Sequence, residues 1–184
     1  MKFRPVLSVL PVLLSLNTGA SEKDESIWLL VETIPHVLKV MEGDHDLEVF
    51  ERIAIGRHGV GLFKERGDYK TPLGEYRIGW INENSRYHKF FGFTYPNREN
   101  AARAYETGLI GLDTYRTILR TSVGAAVPPQ NTILGGQIGI HGLGRANPAV
   151  HEVFDWTQGC IAMTNEQIDR LSAWVKKGTL VIIR

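Results

Sequence analysis

The sequence predicts a mainly β protein with one C-terminal helix and a partly helical insertion over 82–130. Three observations carry that prediction. Apolar residues alternate with charged ones through 26–56, strand-like text returns at 75–81, 132–142, 160–163 and 179–184, and only the stretch before the last strand combines a helix cap with sustained helical spacing. At 184 residues the chain fits one domain, able to bury a core without disulfides or metals.

The first segment, MKFRPVLSVLPVLLSLNTGA, sets Lys2 and Arg4 before an apolar run from Val6 to Leu16 and ends in Asn17-Thr18-Gly19-Ala20. This is the three-part layout of a secretory signal peptide with a cut near Ala20, and the run falls short of the roughly 20 apolar residues that span a bilayer. Residues 1–20 are therefore expected to be removed on export, leaving a domain over 21–184 with no stable membrane span. The formal net charge is +1, and removing Lys2 and Arg4 makes it −1. The remaining cations are dispersed without a basic stripe, which argues against a nucleic-acid partner.

SIWLLVET, PHVLKVME and DLEVFERIAIG then read as a β-meander, with a polar turn at Glu42-Gly43-Asp44-His45 pairing Val37 to Met41 with Leu47 to Ile53. Alternation of Leu47, Val49 and Ile53 with charged residues suits a half-buried antiparallel strand. Residues 57–70 are polar and glycine-bearing, hence a loop, and Thr71-Pro72-Leu73-Gly74 turns into a strand from Glu75 to Ile81. Within 82–130, NRENAARAYETG reads as a short helix, TYRTILRTS as an ambiguous element and AAVPPQN as a connector. Strand character resumes at TILGGQIGIHG and CIAM. Asn165 is the expected cap of a helix presenting Ile168, Leu171, Trp174 and Val175 on one face, ending at Lys176-Lys177-Gly178. TLVIIR closes the chain as a buried strand.

The chain holds one cysteine, Cys160, so no intrachain disulfide is available. In an exported protein a lone thiol is either an inert buried group or a reagent, and composition does not separate the two. A nucleophilic thiol needs a base within hydrogen-bond reach and oriented N–H groups for the oxyanion. Of the six histidines, His141 ends the apolar stretch Ile138-Gly139-Ile140 and precedes Gly142, while Cys160 opens a strand directly after Gly159. Adjacent strand ends would bring imidazole and thiol together. A zinc site from His141, His151 and Cys160 matches none of the usual clustered ligand spacings, and the order argues against a papain-like protease, in which the cysteine precedes the histidine. Arg145 and Asp155, in the intervening loop, either bind a substrate carboxylate or amine or simply solvate the loop. Trp156 either packs over the site or anchors the loop. Tyr87, His88 and Tyr95 either contact glycan or peptide or, interleaved with Phe90, Phe91 and Phe93, form core, the commoner place for such aromatics.

His141-Gly142 followed by Thr157-Gln158-Gly159-Cys160-Ile161, with fifteen residues between His141 and Thr157, resembles the signature of L,D-transpeptidases with a YkuD-type catalytic domain, and Thr71-Pro72-Leu73-Gly74-Glu75-Tyr76 resembles that family's upstream segment. NENSRYHKFFGFTYPN looks closest to the YafK-like branch. The resemblance implies a β-sandwich fold and a periplasmic enzyme acting on peptidoglycan stem peptides. Cys160 would form a thioester, His141 would move the thiol proton to the departing amine, and Gly142 would orient the imidazole through its carbonyl. Gly159 and Cys160 would offer N–H groups to the oxyanion, with Thr157, Gln158 and Arg145 around the substrate. It implies no metal and no organic cofactor. A lipoprotein attached to the wall would be a second partner. Two departures stand out: many members carry a histidine where Gln158 stands and an arginine or asparagine where Ala162 stands. Amine attack on the thioester would give a cross-link, and water would give hydrolysis. An inactive wall-binding module is the alternative from another class.

Overall fold

Three consecutive strands, β1 (Ile27–Glu32), β2 (Val37–Glu42) and β3 (His45–Glu51), form the expected meander around a turn at Gly43-Asp44. The structure, a computed structural model, describes residues 26–184; the expected signal peptide, 1–20, lies outside the described residues. The phase of β3 differs from the sequence expectation. Val40 pairs with Glu48 and Met41 with Asp46, so Leu47 is an extra residue in a bulge. The bulge turns Leu47 and Val49 outward, each 41% exposed, and points Phe50 into the core.

The closing strand, β10 (Leu180–Ile183), runs parallel to β1 and antiparallel to β6 (Gly74–Ser85), so it is central in the sheet, as an uninterrupted apolar run requires. Beyond β6 come β7 (His88–Phe93), β8 (Gly139–His141) and β9 (Ile161–Ala162), giving eight strands in the order β3-β2-β1-β10-β6-β7-β8-β9. The two ends of this sheet meet: Ala54, just past β3, exchanges backbone hydrogen bonds with Ala162 at 3.0 and 2.8 Å. The sheet thus folds over on its own core as a sandwich. The turn of direction falls in β6, where the register slips between Ile78 and Trp80 and the Trp80 indole lies across Gly92. Any side chain at Gly92 would collide with that ring. A separate two-stranded pair joins β4 (Val60–Gly61) to β5 (Thr71–Pro72) in the loop region 57–74.

The stretch read as an insertion, 82–130, is part scaffold: the end of β6 and all of β7 belong to the sheet. The excursion off the sheet carries α1 (Arg98–Glu106), opened by a reciprocal Asn97–Asn100 cap, and α2 (Leu112–Thr121), which resolves the ambiguous element as a helix. Ala101, Ala104 and Ile118 join the core from these helices. Of TILGGQIGIHG only Gly139–His141 is strand; the residues before it make a turn and an irregular wall. A short helix, α3 (Pro148–His151), was not legible in the sequence. The last helix, α4 (Asn165–Leu171), is capped by Thr164, whose hydroxyl accepts from Gln167 N, and not by Asn165. Asn165 instead binds the Gly144 backbone through both amide atoms, at 3.0 and 3.2 Å, tying α4 to the turn after β8. Among the described residues no helix is long and apolar enough to cross a membrane.

Candidate active site

β8 and β9 are parallel neighbours, with Ile140 opposite Ile161 and His141 opposite Ala162. Side chains alternate along a strand, so Cys160 falls on the same face as Ala162 and therefore as His141. Both residues line a cavity of about 770 Å³, together with Gln158, Thr157, Trp156 and side chains of the β6–β7 hairpin. The two strand ends thus bring the thiol and the imidazole to one cavity.

The imidazole is held on every side. His141 Nδ1 lies 2.7 Å from Gly142 O, and a carbonyl only accepts, so Nδ1 carries the proton and Nε2 keeps its lone pair. Tyr87 stacks on the ring at 4.3 Å between centroids, and Trp156 meets it edge-on at 5.9 Å. Burial pushes the His141 pKa down to about 4, against the raising effect of the Gly142 carbonyl and with smaller contributions from Arg86 and His151. At neutral pH the ring is uncharged. A side chain on Gly142 would strike Asn165 Oδ1 and Tyr87 O, both at 2.8 Å.

The thiol sits in an equally built surrounding. Thr157, fully enclosed, donates from Oγ1 to Cys160 O at 2.6 Å and accepts from Gly159 N at 3.1 Å, so one hydroxyl closes the turn before Cys160. Cys160 Sγ donates to Gln137 O at 3.4 Å. Gln137 is in turn braced by Gln130, whose Oε1 accepts from Gln137 N at 2.7 Å while its Nε2 donates to Tyr95 O at 2.7 Å. Burial raises the thiol to about 11, opposed by the Gly139 N–H and by the charge of Lys64. The site at rest is a neutral thiol beside a neutral imidazole.

Gly159 differs from its expected role: its N–H is bound by Thr157 Oγ1. Its φ is +124°, and a Cβ there would lie 2.5 Å from Lys70 O and 2.8 Å from Lys64 Cε, so glycine is required by the loop packed behind it. Gln158 is exposed at the cavity rim. Arg145 is exposed in the turn after β8 and does not line the cavity; the cations that do are Lys64, Arg66 and Arg86, and no carboxylate accompanies them. Asp155 binds Ile55 N at 2.9 Å and His36 at 3.1 Å, a structural tie between the loop and β3. Ala162 is fully buried in the seam with Ala54, leaving no room there for a polar recognition group.

Sequence reasoning missed Tyr87, Arg86 and Lys64. Tyr87 was expected chiefly as core; it is the face on which the imidazole rests. Lys64 had no signal beyond its place in a polar loop, although Asp68 four residues on is the spacing of an ion pair. Among the described residues no group of three or more His, Cys, Asp or Glu side chains is arranged to hold a metal ion.

Residues 26–183 match the family described as YkuD, L,D-transpeptidase catalytic domain. A search of curated proteins finds no match. Among solved structures, the chain is similar to the helical cell shape determining protein Pgp2 from Campylobacter jejuni, with 24% identity and a TM-score of 0.58 over 86% of this chain and 47% of that one. Bd1075 from Bdellovibrio bacteriovorus aligns at 20% identity and a TM-score of 0.55, over 87% of this chain and 48% of the other. An L,D-transpeptidase from Xylanimonas cellulosilytica aligns at 12% and 0.50, over 89% and 62%. These likenesses establish the fold, and the chain spans about half the length of Pgp2 and of Bd1075.

Proposed function

Because the chain belongs to the YkuD family of L,D-transpeptidase catalytic domains, we propose that it is an exported enzyme that performs acyl transfer on peptidoglycan stem peptides through a thioester on Cys160. The observation that carries this reading is the tautomer of His141: with Nδ1–H held by Gly142 O, the Nε2 lone pair faces the cavity that Cys160 also lines. As Sγ attacks the carbonyl carbon, its proton passes to Nε2 and the carbonyl oxygen becomes an oxyanion. Collapse expels the amine, which takes the proton from His141 and leaves the thioester. With the imidazole at about 4 and the thiol at about 11, the transfer accompanies attack and does not precede it as a standing ion pair. Arg66 and Arg86 line the cavity without a carboxylate among its lining, beside Lys64 paired to Asp68, which suits an anionic peptide. The layout of residues 1–20 supports periplasmic placement after a cut near Ala20, which N-terminal sequencing of periplasmic protein would test.

An amine that resolves the thioester yields a cross-link or a wall-anchored lipoprotein; water yields release. The test is mass spectrometry of tetrapeptide muropeptides and of protein-linked wall fragments incubated with the mature protein and with Cys160→Ala. Cysteine-dependent exchanged products identify a transpeptidase, and release with water incorporated identifies a hydrolase. Equal products from both proteins on every substrate sink the reading and leave an inactive wall-binding module.

A further inference from the structure

A buried ammonium stands behind the nucleophile. Lys64 is only 3% exposed, yet it lines the same cavity as Cys160, and its Cε would lie 2.8 Å from a Cβ placed on Gly159. Its Nζ donates to Asp68 Oδ1 at 2.9 Å and to Glu65 O at 3.1 Å. An ammonium has three N–H groups, so one remains. Asp68 is itself fixed, accepting from Glu65 N at 2.9 Å and from Lys70 N at 3.0 Å. Partial burial works to raise the Asp68 pKa, but the Lys70 N–H, the Lys64 ammonium and the Glu65 N–H outweigh it and hold the carboxyl below its usual value. The lysine is thus held through two of its three N–H groups.

The oxyanion has lost one of its expected donors, since Gly159 N–H is committed to Thr157 Oγ1. We propose that Lys64 fills that place: its third N–H binds the oxygen that becomes negative when Cys160 attacks the substrate carbonyl, making Lys64 a further catalytic residue of this site. The inference rests on the acyl-transfer reading above. The Lys64 proton stays on nitrogen throughout, and the thiol proton travels by His141 as already described. The lysine's charge also favours the thiolate form of Cys160. The titratable and charged groups of the cavity are Cys160, His141, Lys64, Arg66, Tyr87 and Arg86, with Asp68 behind Lys64.

The experiment compares wild type, Lys64→Met and Lys64→Arg by steady-state turnover of a defined muropeptide and by the pH dependence of iodoacetamide alkylation of Cys160. Lys64→Met is expected to lower kcat by about 10²-fold with little change in KM, as loss of an oxyanion donor does, and to move the alkylation midpoint to higher pH. Lys64→Arg, which keeps the charge, is expected to restore part of kcat and the alkylation midpoint. A folded Lys64→Met with wild-type kcat and alkylation profile overturns the proposal. So does a loss confined to KM, which would make Lys64 a binder of substrate carboxylate. If Lys64→Met does not fold, Lys64→Gln, which retains a donor toward Asp68 without the charge, replaces it with the same two expectations. If wild type turns over no wall peptide, the acyl-transfer reading fails on its own. The alkylation midpoint still decides whether Lys64 acts on the thiol, and an unmoved midpoint then overturns the proposal.

Discussion

The two walls of the cleft encode their chemistry differently. One wall, residues 139–142 and 157–160, carries its candidate residues in consecutive short strings: His141 beside the glycine that holds it, Cys160 three residues after the threonine that shapes its turn. The other wall, residues 57–70, reads as an ordinary polar loop, yet Asp68 organises it through three hydrogen bonds and sets Lys64 against the nucleophile turn. Local partners leave a mark in sequence as fixed spacing. A partner that arrives across the fold leaves none.

The sharpest way to break this comparison is on the first wall. His141→Gln is expected to reduce turnover by about 10²–10⁴-fold, since it removes the proposed base of the cavity that Cys160 lines while leaving a side chain to pack against Tyr87. Turnover within tenfold of wild type would move the base elsewhere. On the second wall, Asp68→Ala is expected to cost about 2–3 kcal/mol, because it strips a carboxylate from a buried lysine and frees two backbone N–H groups. A fall in Tm of roughly 5–10 °C by calorimetry is the corresponding reading. An unchanged Tm would show that Lys64 keeps its place without Asp68.

Acid titration probes the first wall again, through linkage. His141 is lowered from 6.5 to about 4 in the folded protein, so between those values the unfolded chain binds a proton that the folded chain refuses. Stability is complete above about pH 6.5 and falls as pH drops toward 4, by about 3 kcal/mol from this ring. His151, lowered mainly by burial, contributes in the same direction. Urea midpoints at pH 7 and pH 5 should differ less in His141→Gln than in wild type; equal differences would contradict the shift. The smallest expected effect is Arg145→Ala, within about 0.5 kcal/mol in stability and without consequence for turnover. A tenfold change in KM would return Arg145 to the substrate path.

Hydrophobic periodicity made the meander, the central β10 strand and the C-terminal helix legible, because alternation and helical spacing are imposed by local geometry alone. It misplaced the inner face of β3, since the single extra residue Leu47 reverses every side chain of a period-two element and nothing local announces it. It also read β7 as part of an insertion, because Tyr87, Phe90 and Phe93 show their purpose only when β8 lies beside them.

By itself, the sequence singled out the candidates: one thiol, one histidine followed by its glycine, and the strands whose ends bear them. These depend on contacts within a few residues, where backbone geometry leaves little choice. Only the tertiary structure decided which cations face the cleft, that Arg145 is not among them, and that Lys64 packs behind the Gly159-Cys160 turn. Those facts come from packing between segments nearly a hundred residues apart, where burial and the supply of hydrogen-bond partners are set by the assembled fold.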